Sequence, residues 1–180
     1  SSSAKLIVAA LLLSSAFVAM PANTGGMSQS PAVPSIVFMN SDWVVSGFNS
    51  TANTTIVLSG NLTVTGSGCL EFRNVTLIMN ATSAADSFGI YIWDGARFYV
   101  NDTDGNRLTT ADRSVISNNA TYGIGYSFRV NGTATFEMRN SRIRGCGLLG
   151  VQAGANESGL TVLSDAVLIE GSEISGCSHG

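Results

Sequence analysis

The 180-residue chain has one lysine, Lys5, one histidine, His179, and three cysteines. Charged residues make up 12% of it, and the formal net charge is −3. So little positive charge leaves no basic surface for nucleic acid. There is no Cys-x-x-Cys pair and no Cys/His spacing of the zinc-binding kind, so zinc is not expected. There is also no Asp-Asp pair, and His179 stands at the end of the chain, so no paired acid and base can be read from it. What is present is 44% hydrophobic residues, 20 glycines, and much Ser, Thr and Asn. That mix suits one domain of many short strands joined by tight turns.

A strand pattern recurs four times. With Asn74, Asp102, Asn140 and Gly171 as reference points, an apolar-x-apolar pair stands four and two residues earlier: Leu70/Phe72, Phe98/Val100, Phe136/Met138 and Val167/Ile169. A second pair stands twelve and ten residues before the first three: Leu62/Val64, Ile90/Ile92 and Phe128/Val130. The fourth such pair, Leu160/Val162, is one residue out of step. Apolar pairs of this kind mark strands, because strand side chains alternate faces. The reference points lie 28, 38 and 31 residues apart, and repetition at such periods marks a solenoid. The expected fold is therefore all-β: a right-handed parallel β-helix of about four to five coils over residues 36–180. Weaker third strands follow the reference points, at Val75-Thr76-Leu77, Ile143 and Ile174. The segment from Asp102 to Asp112 reads as a loop of about ten residues, after which Val115-Ile116 rejoins the coil. Ile36/Phe38 and Trp43/Val45 read as a capping turn ahead of the first coil.

The ends carry their own signals. Lys5 precedes an eight-residue apolar run, residues 6–13, then small residues to Ala22. That order describes a secretory signal peptide over residues 1–22, followed by a flexible lead-in over 23–35. An uncleaved anchor is the other reading, but the apolar stretch 6–20 is short for a span of about 20 residues. No membrane span is expected beyond it. The chain is expected to continue past Gly180 with further coils or another domain, because an open solenoid end exposes strand edges.

Asn-x-Ser/Thr occurs nine times among fourteen asparagines. Acceptance of N-linked glycan is expected at Asn49, Asn53, Asn61, Asn80, Asn101, Asn119, Asn131 and Asn156. Asn74 is the exception, because its repeat position points inward. The alternative is that turns and strands simply favour Asn and Thr. Cys146 and Cys177 each stand six residues after a reference point, so they occupy equivalent places in successive coils. Adjacent strands lie about 4.8 Å apart, which allows either a disulfide or two stacked reduced thiols. Cys69 has no visible partner.

The text from Ile56 to Met79, with the tails NSRIRGCG (140–147) and GSEISGCS (171–178), resembles the right-handed parallel β-helix proteins of the pectate-lyase-like superfamily. The resemblance covers about residues 36–180. It implies an asparagine ladder at one tight turn, filled here by Asn74, Asp102 and Asn140. Stacked amides there would donate to and accept from one another. It also implies enzymes acting on acidic polysaccharides, with Ca2+ held by clustered carboxylates or with paired Asp. Asp102, Asp104 and Asn106 could offer oxygen ligands to Ca2+, but Gly105 falls inside that triplet, and a solvated Asx turn explains the same residues. No other cofactor is expected. Tyr91, Trp93 and Tyr99 alternate outward and could stack on sugars. The expected role is a secreted or surface-displayed scaffold or adhesin-like protein that meets extracellular polysaccharide or cell-envelope components. The alternatives are a carbohydrate-active β-helix enzyme with catalytic coils downstream, and a carbohydrate-binding module.

Overall fold

Alternating apolar and polar residues build fourteen strands among the described residues and no helix. The structure is a computed structural model and describes residues 34–83, 85, 86, 88–147 and 159–177. The expected signal peptide, most of the lead-in, Asn156 and His179 lie outside the described residues. In chain order the strands are β1 (Ser35–Met39), β2 (Trp43–Val45), β3 (Phe48–Leu58), β4 (Leu62–Val64), β5 (Cys69–Met79), β6 (Gly89–Ile92) and β7 (Arg97–Asn101). Then come β8 (Val115–Asn118), β9 (Ser127–Val130), β10 (Thr135–Arg139), β11 (Arg142–Arg144), β12 (Leu160–Val162), β13 (Val167–Glu170) and β14 (Glu173–Ser175). Every pairing between them is parallel.

Two sheets result. The smaller runs β12-β9-β6-β4-β2. The larger holds nine strands and curls, because β3 and β5 bend in mid-strand. The first half of β5 pairs with β7 and the second half with β8. The bends are at Asn53 and Asn74, whose φ values of 51° and 53° are left-handed. Asparagine tolerates that region better than other residues with a side chain. The chain thus passes five times through three strand positions, each pass stacked on the one before. This curled parallel arrangement is compatible with a β-helix-like solenoid.

The register follows the sequence pattern. Leu70, Phe98, Phe136 and Val167 stack in line, as do Leu62, Ile90, Phe128 and Leu160. A four-residue turn leads from the smaller to the larger sheet at residues 65–68, 93–96 and 131–134. Each closes with a backbone bond: Gly68 N to Thr65 O at 3.0 Å, Ala96 N to Trp93 O at 3.0 Å, and Ala134 N to Asn131 O at 2.9 Å. In the last pass residues 163–165 make this turn with one residue fewer, which is why Leu160/Val162 is out of step in the sequence. One expectation is corrected. Ile36/Phe38 and Trp43/Val45 lie in regular strands, not in a capping turn.

The inward row forms one core. Phe72, Phe98, Phe128 and Phe136 are at most 1% exposed. Their rings touch in series, at 5.1 Å from Phe72 to Phe98, 5.9 Å from Phe98 to Phe136 and 5.2 Å from Phe136 to Phe128. Burial of this row drives the stacking, at about 25 cal/mol per Å² of apolar area. The polar corners are left to hold the passes in register.

Candidate functional site

The corner between β10 and β11 shows how the polar groups are used. Asn140 has φ 47° and is 6% exposed. Its Nδ2 donates to Asp102 Oδ2 at 3.1 Å. Two passes earlier in the stack, Asn74 Nδ2 donates to Asn53 Oδ1 at 2.9 Å. The expected ladder is therefore two pairs instead of one run, and Asn53 belongs to it. A hydroxyl stands where the run is interrupted: Ser114 Oγ accepts from Val75 N at 3.1 Å and donates to Asn101 O at 2.5 Å. Ser141 and Ser172 repeat the motif, donating to Arg139 O at 2.7 Å and Glu170 O at 2.9 Å. Gly171 ends the ladder because a Cβ there would lie 2.4 Å from Asn140 Oδ1. The serines were missed in the sequence, although Asn140-Ser141 and Gly171-Ser172 show two of them side by side.

A second ladder turns the next corner. Asn80 Nδ2 donates to Ser59 Oγ at 2.9 Å, and Asn119 Nδ2 donates to Asn80 Oδ1 at 2.6 Å. Asn61 bridges three passes, donating to Asp42 Oδ1 at 3.2 Å and accepting from Gly89 N at 2.9 Å. Asn131 is 7% exposed and accepts from Arg129 Nε at 2.9 Å. Glycan attaches at Nδ2, so a sugar at Asn61, Asn80 or Asn119 would displace these bonds, and one at Asn131 would need room the fold does not leave. Asn101 is half-buried, with Oδ1 buried and unpartnered. Asn49 and Asn53 are exposed, and Asn49 makes no side-chain bond among the described residues.

Residues 102–114 leave the stack as one loop. Asp112 Oδ2 accepts from Thr103 Oγ1 at 2.5 Å, Thr103 N at 3.1 Å and Asp104 N at 3.2 Å. The Thr103 hydroxyl chiefly holds the Asp112 carboxyl below the usual carboxylate range. The loop brings carboxylate oxygens of Asp102, Asp104 and Asp112 within 4.8 Å of one another. Asn106, expected as a ligand, instead turns Oδ1 to Leu108 N at 3.0 Å. Asp104 accepts from Asn106 N at 2.7 Å and from the Thr109 hydroxyl at 3.0 Å. The loop's own donors thus occupy most of the oxygens a cation would need, as in an Asx turn.

Beside this loop lies a cleft of about 340 Å³. Register sets its floor, since Arg73, Asn101, Arg139 and Glu170 are successive partners on the outer face of β5, β7, β10 and β13. Arg107 reaches from the loop to pair with Glu170, which Arg139 also meets at 2.8 Å. Glu170 is thus held by two guanidinium groups.

The aromatics divide between two faces. Tyr91, on the smaller sheet, stacks with Trp93 at the start of the turn that follows, with ring centroids 6.4 Å apart and planes 21° apart. Trp93 is 44% exposed. Tyr91 lies over Gly89, where a Cβ would come within 2.5 Å of the ring. Tyr99 sits on the larger sheet between Glu71 and Glu137, apart from that pair. At the far end of the stack Cys146 and Cys177 are joined as a disulfide, with Cα atoms 4.6 Å apart. Cys69 is a buried free thiol, and burial raises its pKa. Comparison with protein-family models, curated proteins and solved structures finds no match to this chain.

Proposed function

We propose that this chain is a right-handed parallel β-helix that works outside the cell as a non-catalytic scaffold or adhesin-like protein, secreted or displayed on the surface. The observation that carries the reading is the use of the corner polar groups. Asn53, Asn74, Asn80, Asn119 and Asn140 bond from pass to pass, and Ser114, Ser141 and Ser172 tie each corner to the strand before it. Polar residues engaged in this way brace a rod instead of serving chemistry. The Cys146–Cys177 disulfide fits an oxidising compartment. Glycan falls on Asn49 first under this reading. Expression in the native host, surface biotinylation and digestion with an N-glycosidase test it. Labelling together with a mobility shift lost in Asn49→Gln is expected. An unlabelled intracellular protein, or release of sugars from polysaccharide by the purified chain, would overturn it.

The stacked Tyr91–Trp93 pair, with Trp93 exposed and Tyr91 half-buried, favours carbohydrate binding as a second reading. Flat paired rings offer a platform for sugar faces. Retention on immobilised polysaccharide that Trp93→Ala abolishes is the expected result, and equal retention of both forms removes the reading.

A further inference from the structure

We propose that the cleft between Arg73 and Arg139 binds an oxyanion, namely a sulfate ester, phosphate ester or carboxylate, carried on a small hydroxyl-bearing ligand or on one unit of a polymer. The inference is independent of the scaffold reading and concerns a different face from the Tyr91–Trp93 pair. The accessible acceptors of the cleft already have donors. Asp102 takes the Asn140 amide, and Glu170 takes both Arg139 and Arg107. The donors are less fully engaged. The Arg73 side chain is 59% exposed, and among the described residues its one ionic contact is Glu71 at 3.5 Å. Asn101, directly beside it in the register, has no side-chain bond as a donor among the described residues. Apart from the buried Asn101 Oδ1, the unmatched capacity in the cleft is therefore hydrogen-bond donation, and three arginines face two carboxylates there.

Size and rigidity agree with this. A volume of about 340 Å³ lies at the small end of the range of ligand sites, suited to one sugar-sized unit. Arg73 and Arg139 stand two strands apart, about 9.6 Å at the usual spacing. Strands hold both, and the Arg107–Glu170 pair fixes the loop that walls the site. A guanidinium fork matches the two oxygens of a carboxylate, sulfate or phosphate.

The test is titration calorimetry of the whole chain at low ionic strength, where exposed charges are least screened. The probes are sodium sulfate, sodium phosphate, glucuronate, glucose 6-sulfate and glucose. Saturable binding of the charged sugars above that of glucose is expected. Arg73→Gln should weaken it about tenfold or more, as loss of one charge-assisted pair implies. Arg97→Gln should not, since that exposed arginine lies four residues along the same face, about 13 Å away. Binding of inorganic sulfate or phosphate alone would keep the oxyanion site and assign it to a free ion. Absence of saturable binding, preference for glucose, or equal loss in both variants would overturn it. Circular dichroism confirms that each variant is folded.

Discussion

Asn140 carries a backbone in the left-handed region and an amide that satisfies a buried carboxylate. The two roles separate by substitution. Asn140→Gly keeps the backbone and orphans Asp102, at about 1–3 kcal/mol. Asn140→Ala adds the left-handed penalty of about 1–2 kcal/mol. Alanine should therefore be the worse variant by about 1 kcal/mol or more in urea denaturation, and equal midpoints would show that the corner does not need its conformation. Asp112 gives a pH-dependent case. Its carboxyl is held below the usual value by the Thr103 hydroxyl, so the anion is favoured in the folded loop. That contribution is full above the unfolded value of about 3.9 and is lost as pH falls through the lower folded value. The carboxyl carbon of Asp112 should titrate below about pH 3.9 by NMR, and in Thr103→Val the midpoint should rise. Asn74 and Asn140 were legible in the sequence as corner residues. Asp102 takes the Asn140 amide at this corner, but it lacks a left-handed backbone, because the loop that follows opens its corner. The other ladder residues were hidden because Asn-x-Thr reads equally well as a glycan acceptor and as a stacked corner.

At the scale of elements, the inward rows were the most legible part. Phe98 packs against Phe72, Phe128 and Phe136, and all four are fully buried. Phe98→Ala should cost about 3–5 kcal/mol, visible as a fall in the denaturation midpoint; a loss under 1 kcal/mol would mean that the stack closes over the gap. The first half of β3 was not legible. Asn49 and Thr51 pair with the buried Leu70 and Phe72, yet they are polar, and Asn49 is exposed. In the first pass they have little above them to pack on, so no apolar alternation marks the strand. The cleft was also not legible. Arg73, Asn101, Arg139 and Glu170 are 28, 38 and 31 residues apart, and only the register lines them up. The Tyr91–Trp93 pair could be read from its i, i+2 spacing, but Tyr99 could not be assigned to another face without the sheets.

For the whole molecule, each pass pairs with its neighbours alone, so stability is local along the stack. The Cys146–Cys177 bond closes a separation of 31 residues around the last pass. Chain-entropy reasoning gives such a loop about 3–4 kcal/mol. Reduction should therefore lower hydrogen-exchange protection in β12, β13 and β14 first and leave β4 to β7 little changed. A uniform loss along the stack would show that the passes unfold as one unit.

The three corners differ in how much chain they hold. The turn from the smaller to the larger sheet holds four residues in three of the passes, and the asparagine corner is about two residues long except where residues 102–114 depart. The strands joined at the corner leading back to the smaller sheet are separated by 3, 3, 9, 8 and 15 residues in turn, from β1 to β2, β3 to β4, β5 to β6, β8 to β9 and β11 to β12. A gene coding for such a chain can gain or lose codons at that last corner without moving any side chain from the inner to the outer face. A single-codon change inside β5 or β10 would reverse that assignment for the rest of the strand. Length variation between alleles or descendants of this gene should collect at the permissive corner, while the strands and the other two turns keep their lengths.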